Sequence, residues 1–364
     1  MDERQLAQRL IGYDTSSGDG LRGAAEFVRG WLETSDIEVL EREHRGLPVL
    51  LASAGAQSGP SVILHGHLDV VPARAGQFEP RVEGDRLIGR GAYDMKGALA
   101  AMLFALRDAA AQREVRVQLV CVPDEESEDV DARSTDALVA GGLWADFAIT
   151  GEPTDMQIGV EAKGVLAVRV ALSGIAAHGS TPWLGDNAIL KAYDAFRAIE
   201  TLPFSRESSE LFDRPSINLA RVEGGDAFNK VPDGCWMDVD IRYLPGQEPE
   251  LILEQIRAIS DLELVRCLHR EPAIVERTNP YVMALRAAVG GDALSVGRDG
   301  ASDAISFLRA GIPAVEFGPL GGGHHGPGEW VSLSSLERYR HALGEFVESL
   351  PHWLEGQTGR LRAV

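Results

Sequence analysis

Ser61-Val-Ile-Leu-His-Gly-His-Leu-Asp69 is the stretch on which the fold turns. Its opening residues, Ser61–Leu64, are a β-branched and leucine run of the kind buried on both faces of a parallel sheet. The run closes on two imidazoles and a carboxylate, so a central strand carries polar chemistry at its carboxyl end. Two later runs have the same form: Val115–Val122 leads into Pro123-Asp124-Glu125-Glu126, and Asp146–Thr150 leads into Gly151-Glu152-Pro153. Gly97–Arg107 reads as a helix between the first two. This alternation predicts an α/β domain with a mixed, mostly parallel sheet flanked by helices, a design in which ligands gather beyond the carboxyl ends of the strands.

Working outward, Leu6, Leu10 and Ile11, then Ala25, Phe27, Val28, Trp31 and Leu32, recur at helical spacing around the turn residues Ser16–Gly20, which predicts two amphipathic helices. Beyond Thr150 the pattern changes. Strand Val165–Leu172, helix Asn187–Ile199, strands Ser216–Val222 and Trp236–Tyr243, helix Glu248–Ile259 and strand Leu262–Cys267 spell βαββαβ. That order is the split arrangement of a ferredoxin-like α+β domain, here inserted. After Glu271-Pro272 the α/β pattern resumes with helices near Pro280–Val289 and Asp303–Ala310, strand Ala314–Phe317 and a terminal helix Ser335–Leu350. The expected domains are therefore 1–161 joined to 271–364, and an insert over 162–270.

A chain of 364 residues with 45% apolar content can bury two cores. Its 55 acidic against 35 basic residues give a net charge of -20, which repels nucleic acid and anionic membranes, so neither is an expected partner. Cys121, Cys235 and Cys267 are far apart and form no CxxC pair, which suits a reducing compartment. With no leader-like amino terminus and no run approaching about 18 apolar residues, the expected location is the cytoplasm.

The chemistry lies in His67, Asp94, Glu125, Glu126, Glu152 and His325, in that order along the chain. Imidazoles and carboxylates together suit Zn(II), Co(II) or Mn(II), and two such ions sharing a carboxylate make a hydrolytic site. Asp69, two residues beyond His67, is placed to accept the other ring N–H; His65 is taken as structural. Asp94 stands in the glycine-bracketed loop Gly89–Gly97, where it either bridges cations or caps the following helix. Glu125 and Glu126 are neighbouring acids that raise each other's pKa unless cations offset them. One as ligand and one as general base is the economical assignment; the other is a solvated acidic loop continuing through Glu128, Asp129 and Asp131. His324 directly precedes His325, and spacing to Pro327 and Glu329 favours His325.

These segments resemble the two-zinc aminoacylase and carboxypeptidase family that includes acetylornithine deacetylase, succinyl-diaminopimelate desuccinylase, aminoacylase and glutamate carboxypeptidase. The resemblance rests on His67-Leu-Asp-Val-Val-Pro72, Gly89–Gly97, Asp124-Glu-Glu126, Gly151-Glu-Pro153 and His325-x-Pro-x-Glu329, and it runs over nearly the whole chain. It implies a zinc exopeptidase-like catalytic domain whose insert serves as lid and dimerisation domain of a homodimer. It further implies Asp94 bridging two zinc ions, His67 and Glu152 on one and Glu126 and His325 on the other, with Glu125 as general base. A hydroxide between the metals would attack an amide carbonyl, and a cis peptide would follow Asp94. His178 of Ala177-His-Gly-Ser180 would polarise that carbonyl across the dimer interface, and Asn229 and Arg242 would bind substrate, the arginine suiting a free carboxylate. Gly300-Ala301-Ser302-Asp303 and Gly318-Pro319 resemble further loops near the site. The implied reaction is hydrolysis of an N-acyl amino acid, with a dipeptidase or carboxypeptidase as the alternative.

Overall fold

The computed structural model describes residues 1–127, 133–290, 293–300 and 303–361. Ser61–His67 is one unbroken strand, buried from Val62 onward, so the chain passes through Gly66 without turning. It pairs in parallel with Arg116–Val122 on one side and Phe147–Thr150 on the other. Phe147–Thr150 pairs in parallel with Ala314–Phe317. These strands are apolar because both of their faces are covered. Antiparallel pairs lie outside them: the hairpin Val39–His44/Leu47–Gly55 joins Arg116–Val122, and Ile158–Ala162 joins Ala314–Phe317. The sheet is mixed, with a parallel centre, and the carboxyl ends of three parallel strands carry His67, the Glu125-Glu126 turn and Glu152.

Helix Lys96–Asp108 is buried on every side over Lys96–Leu106, which its alanines and leucines permit. Its start is tight against the preceding loop: a Cβ on Gly97 would lie 2.4 Å from the Ala92 carbonyl oxygen, so only glycine fits. Helices Glu3–Ile11, Pro280–Val289 and Leu333–Leu361 pack around it or around one another. The last helix passes through Pro351 instead of ending at Leu350. Proline removes one backbone donor, and the buried stripe Leu336, Tyr339, Leu343, Phe346, Val347 and Leu350 anchors the helix up to that point. Among the described residues no helix is long and apolar enough to cross a membrane.

The chain divides into two compact units, one formed by Met1–Val160, Val275–Val296 and the residues from Asp303 onward, the other by Glu161–Ile274 with a short stretch from Gly297. In the second unit every strand pairing is antiparallel. The order across the sheet is Ser216–Gly224, Gly234–Tyr243, Gly164–Ser173, Leu262–Arg270. This is the ferredoxin-like arrangement of a βαββαβ chain. Inward residues Leu166, Val168, Val170, Met237, Val239 and Ile241 alternate with half-exposed ones and pack with helices Ala188–Ile199 and Pro249–Arg257. Asn187 sits just outside the first of these helices and caps it, its side chain accepting from the Ile189 and Leu190 amides.

Phe147 is fully buried in the parallel centre and stacks on Tyr281 with ring centroids 5.2 Å apart. Phe147→Ala should lower the stability of the first unit by about 3–5 kcal/mol, read from the shift of its denaturant midpoint; a loss below about 1 kcal/mol would contradict this packing.

Candidate metal centre

His67, at the last position of its strand, is buried, with Nδ1 2.9 Å from the Asp69 carbonyl oxygen and 3.4 Å from Asp69 Oδ1. The N–H there points to the main chain and leaves Nε2 facing Asp94 Oδ1 at 3.0 Å and Glu152 Oε1 at 3.9 Å. The Asp69 carboxylate, expected to take the imidazole N–H, stands beside it through Oδ1 and helps raise the pKa of the ring, and its two oxygens also accept from the amides of Glu125 (3.2 Å) and Glu126 (2.7 Å). Two adjacent turn amides match its two oxygens, so it ties the His67 strand end to the Glu125-Glu126 turn.

Asp94 does not cap the helix behind it: the cap position is Met95, and no side chain bonds the first turn. The Asp94–Met95 peptide is cis, as the resemblance implies. The amides of Tyr93 and Asp94 donate to Glu329 Oε1 at 3.0 and 3.1 Å, and Arg90 donates to both Glu329 Oε2 (2.5 Å) and the His325 carbonyl (2.9 Å). Glu329, read in the sequence only as the end of a motif, thus locks the Asp94 loop to the His325 loop. His325 has φ 58°, the left-handed region, which turns two consecutive imidazoles toward one carboxylate. Asp94 Oδ2 lies 2.5 Å from His324 Nε2 and 3.3 Å from His325 Nε2, and His325 Nε2 is 2.9 Å from Glu126 Oε1. His324 therefore joins the cluster beside His325, although spacing had set it aside.

Glu152 reaches the cluster from the end of Phe147–Thr150, in a loop pressed against Gly318, where a Cβ would lie 2.2 Å from the Glu152 carbonyl oxygen. Its Oε1 is buried with no hydrogen-bond partner among the described residues. Burial, then the nearby Asp94 charge, pushes its carboxyl well above the usual range. Burial likewise pushes Glu125 up to about 8, against the pull of Arg133, whose Nη1 lies 2.6 Å from Glu125 Oε1. Burial works against the Asp94 charge too, but hydrogen bonds from His324, His325 and His67 hold that carboxyl well below the usual range. His325 is raised to about 10 by its hydrogen bonds to Asp94 and Glu126.

These groups fit a divalent cation. Ligand atoms of His67, Asp94 and Glu152 all lie within 4.8 Å of one another, and so do those of Asp94, His324 and His325. Asp94 belongs to both groups and turns one oxygen to each. The orphaned Glu152 oxygen and the crowded carboxylates and imidazoles are a donor set that a divalent cation would satisfy.

The remaining residues named from the sequence divide by location. Asp303 lies in the first unit and accepts from Arg133 and Thr135, while Ala301, Ser302, Glu128, Asp129 and Asp131 lie outside the described residues. His178, Asn229 and Arg242 belong to the second unit. There the Gly179 amide donates to the Asn229 carbonyl at 2.7 Å, so His178 and Asn229 stand on paired segments. His178 Nδ1 lies 3.2 Å from the Ser180 amide, and Arg242 Nε donates to Asp240 at 3.0 Å. Sequence reasoning passed over Arg133, although a single arginine closing the acidic run from Asp124 to Asp131 was a legible signal.

Residues 63–349 match the model of peptidase family M20/M25/M40, and the chain belongs to that family. A Mycobacterium tuberculosis protein carrying the provisional name succinyl-diaminopimelate desuccinylase is 32% identical over 331 residues, covering 87% of this chain and 90% of its own. The acetylornithine deacetylase of Proteus mirabilis is 28% identical over 361 residues, covering 92% of each chain. Among solved structures, an M20 family metallo-carboxypeptidase of Sulfolobus solfataricus shares the fold with a TM-score of 0.78 at 21% identity, over 96% of this chain and 100% of its own. The chain thus stands among the metal-dependent hydrolases of amide bonds.

The metal-free protein should lose stability as pH rises from 6.5 to 8. In that window Glu125, Glu152, His67 and His325, all with raised folded pKa values, keep protons that the unfolded chain has released. Two groups lowered by burial oppose them, His65 (about 4) at the lower end of the window and Lys96 (about 7) at its upper end, and the four raised groups outnumber these. Melting temperatures of chelator-treated protein check the sign, and stability that rises across this window would contradict it; a bound divalent cation should flatten the slope.

Proposed function

We propose that the protein removes the acyl group from an N-acyl amino acid, a deacetylase- or desuccinylase-type reaction, with two divalent ions, zinc first and cobalt or manganese as substitutes. The observation that carries this reading is the Asp94 carboxylate, one oxygen facing His67 and Glu152 and the other facing His324, His325 and, beyond them, Glu126. His67 and Glu152 would hold one ion, Glu126 and His325 the other, with Asp94 between. Such ions polarise an amide carbonyl and acidify water.

Glu125 then takes the proton of the attacking water and delivers it to the leaving amine nitrogen, and a carboxyl kept near neutral pKa by burial suits both transfers. Asp69 assists by holding the Glu125 and Glu126 amides in place. His178 is the proposed donor to the scissile carbonyl: with Nδ1 accepting from the Ser180 amide, the ring proton sits on Nε2, free to stabilise an oxyanion. Arg242, with Asn229, would bind the free carboxylate of the amino acid. The inserted unit would act as lid and as the interface of a homodimer, across which His178 works. Its exposed apolar residues support this, among them Trp183 (75% exposed) and Leu184 (69%) near His178 in sequence. Three unpaired cysteines support a cytoplasmic location.

Glu125→Gln should keep its metal and lose about 10²–10⁴-fold in kcat, assayed by released amine on a panel of N-acetyl amino acids, N-succinyl amino acids and dipeptides. Near-normal turnover would overturn the mechanism, and a preference for dipeptides would move the assignment to a peptidase. Trp183→Asp should convert the dimer to monomer in analytical ultracentrifugation and abolish turnover with the metal retained. A variant that stays dimeric would remove this face from the interface.

A further inference from the structure

Glu125 does not stand alone. One hydrogen of Arg133 Nη1 goes to Glu125 Oε1 at 2.6 Å and the other to Asp303 Oδ1 at 2.9 Å. Behind it, Thr135 Oγ1 donates to Asp303 Oδ2 at 2.9 Å, and His65 Nε2 lies 3.1 Å from the same hydroxyl. Because the threonine hydroxyl spends its hydrogen on Asp303, His65 is the donor to it; Asp303 accepts from Thr135 on one side and Arg133 on the other, and Arg133 also donates to Glu125. All of these supporting side chains are buried. The backbone at Arg133 is held as well: the amide and hydroxyl of Ser134 both donate to Asp124, the residue before Glu125. Arg133 alone thus reaches Oε1 of Glu125, and Asp303, Thr135 and His65 form the line of buried partners behind it. Oε2 takes no hydrogen bond from the described residues.

We propose that Arg133, held in turn by Asp303, is a positioning residue of the reaction: it pins Oε1 of Glu125 and leaves Oε2 as the oxygen that meets the attacking water. A glutamate side chain at the end of a strand has several rotatable bonds, and a base displaced by about 1 Å loses on the order of 100-fold in rate. Residues of the metal cluster do not supply this restraint. A general solvated charge would not either, because one nitrogen of the buried guanidinium is shared between the half-buried Glu125 and the buried Asp303. The inference rests on the reading of Glu125 as the general base.

The test uses metal-loaded full-length enzyme and the N-acyl amino acid that the wild type turns over fastest. Arg133→Gln should lower kcat about 100-fold while KM and the metal content by elemental analysis stay within about twofold. Arg133→Lys, which keeps one N–H on Glu125, should recover about tenfold of that loss, and guanidinium added to Arg133→Ala should restore part of it. A crystal structure of Arg133→Gln should show the Glu125 carboxylate in more than one orientation. Asp303→Asn gives a second route that keeps the arginine, with the same split between kcat and KM at a loss of about tenfold. Wild-type kcat in Arg133→Gln overturns the proposal, and so does a loss that follows metal content and resists both lysine and guanidinium. If Glu125→Gln is itself active, the base assignment fails; if it is dead while Arg133→Gln is fully active, only the positioning role fails.

Discussion

The Asp94 carboxylate is the constraint around which the first unit is organised. It is buried, it must stay charged, and both of its oxygens are already addressed by imidazoles from different parts of the chain. A buried charge of this kind persists only where partners are fixed around it. Much of the local architecture supplies that fixing. Glu329 takes the amides of Tyr93 and Asp94 and is anchored by Arg90, which also holds the carbonyl of His325. One side of the carboxylate is thereby tied to the other through two buried residues, Arg90 and Glu329.

The parallel centre of the sheet contributes the second part of the same arrangement. Three neighbouring strands end at one level, so His67, the Glu125-Glu126 turn and Glu152 emerge side by side from positions far apart in the chain. Asp69 then stitches the first of these ends to the second through two amides. The outcome is a crowded set of acids whose proton affinities are pushed in opposite directions: Glu125 and Glu152 upward by burial, Asp94 downward by three imidazoles. Such divergence is what a site needs to hold a cation and a base within one cavity.

The strands, the inserted βαββαβ unit and the cluster itself were legible because each depends on local pattern. Buried parallel strands are apolar runs, and their ends are the places where His67, Glu125 and Glu152 interrupt those runs. What escaped depends on side-chain direction. Asp69 stands beside the His67 ring as expected, but its second task, holding the amides of a turn 56 residues away, has no local signal. His324 was set aside on spacing, because a positive φ at the next residue cannot be read from a His-His pair. The terminal helix, expected over Ser335–Leu350, continues through Pro351 because the tertiary anchoring of the preceding turns overrides the local effect of proline. Arg133 and Asp303, 170 residues apart, meet only in the folded chain.

The central claim is that Asp94 lies between two cation sites. Anomalous diffraction from crystals of the zinc-loaded enzyme, recorded above and below the zinc edge, tests it most directly. The account predicts two peaks, about 3.5–4 Å apart, one beside His67 and Glu152 and the other beside Glu126 and His325, with the Asp94 carboxylate between them. A single peak away from Asp94, or no peak within reach of its oxygens at saturating zinc, would contradict it.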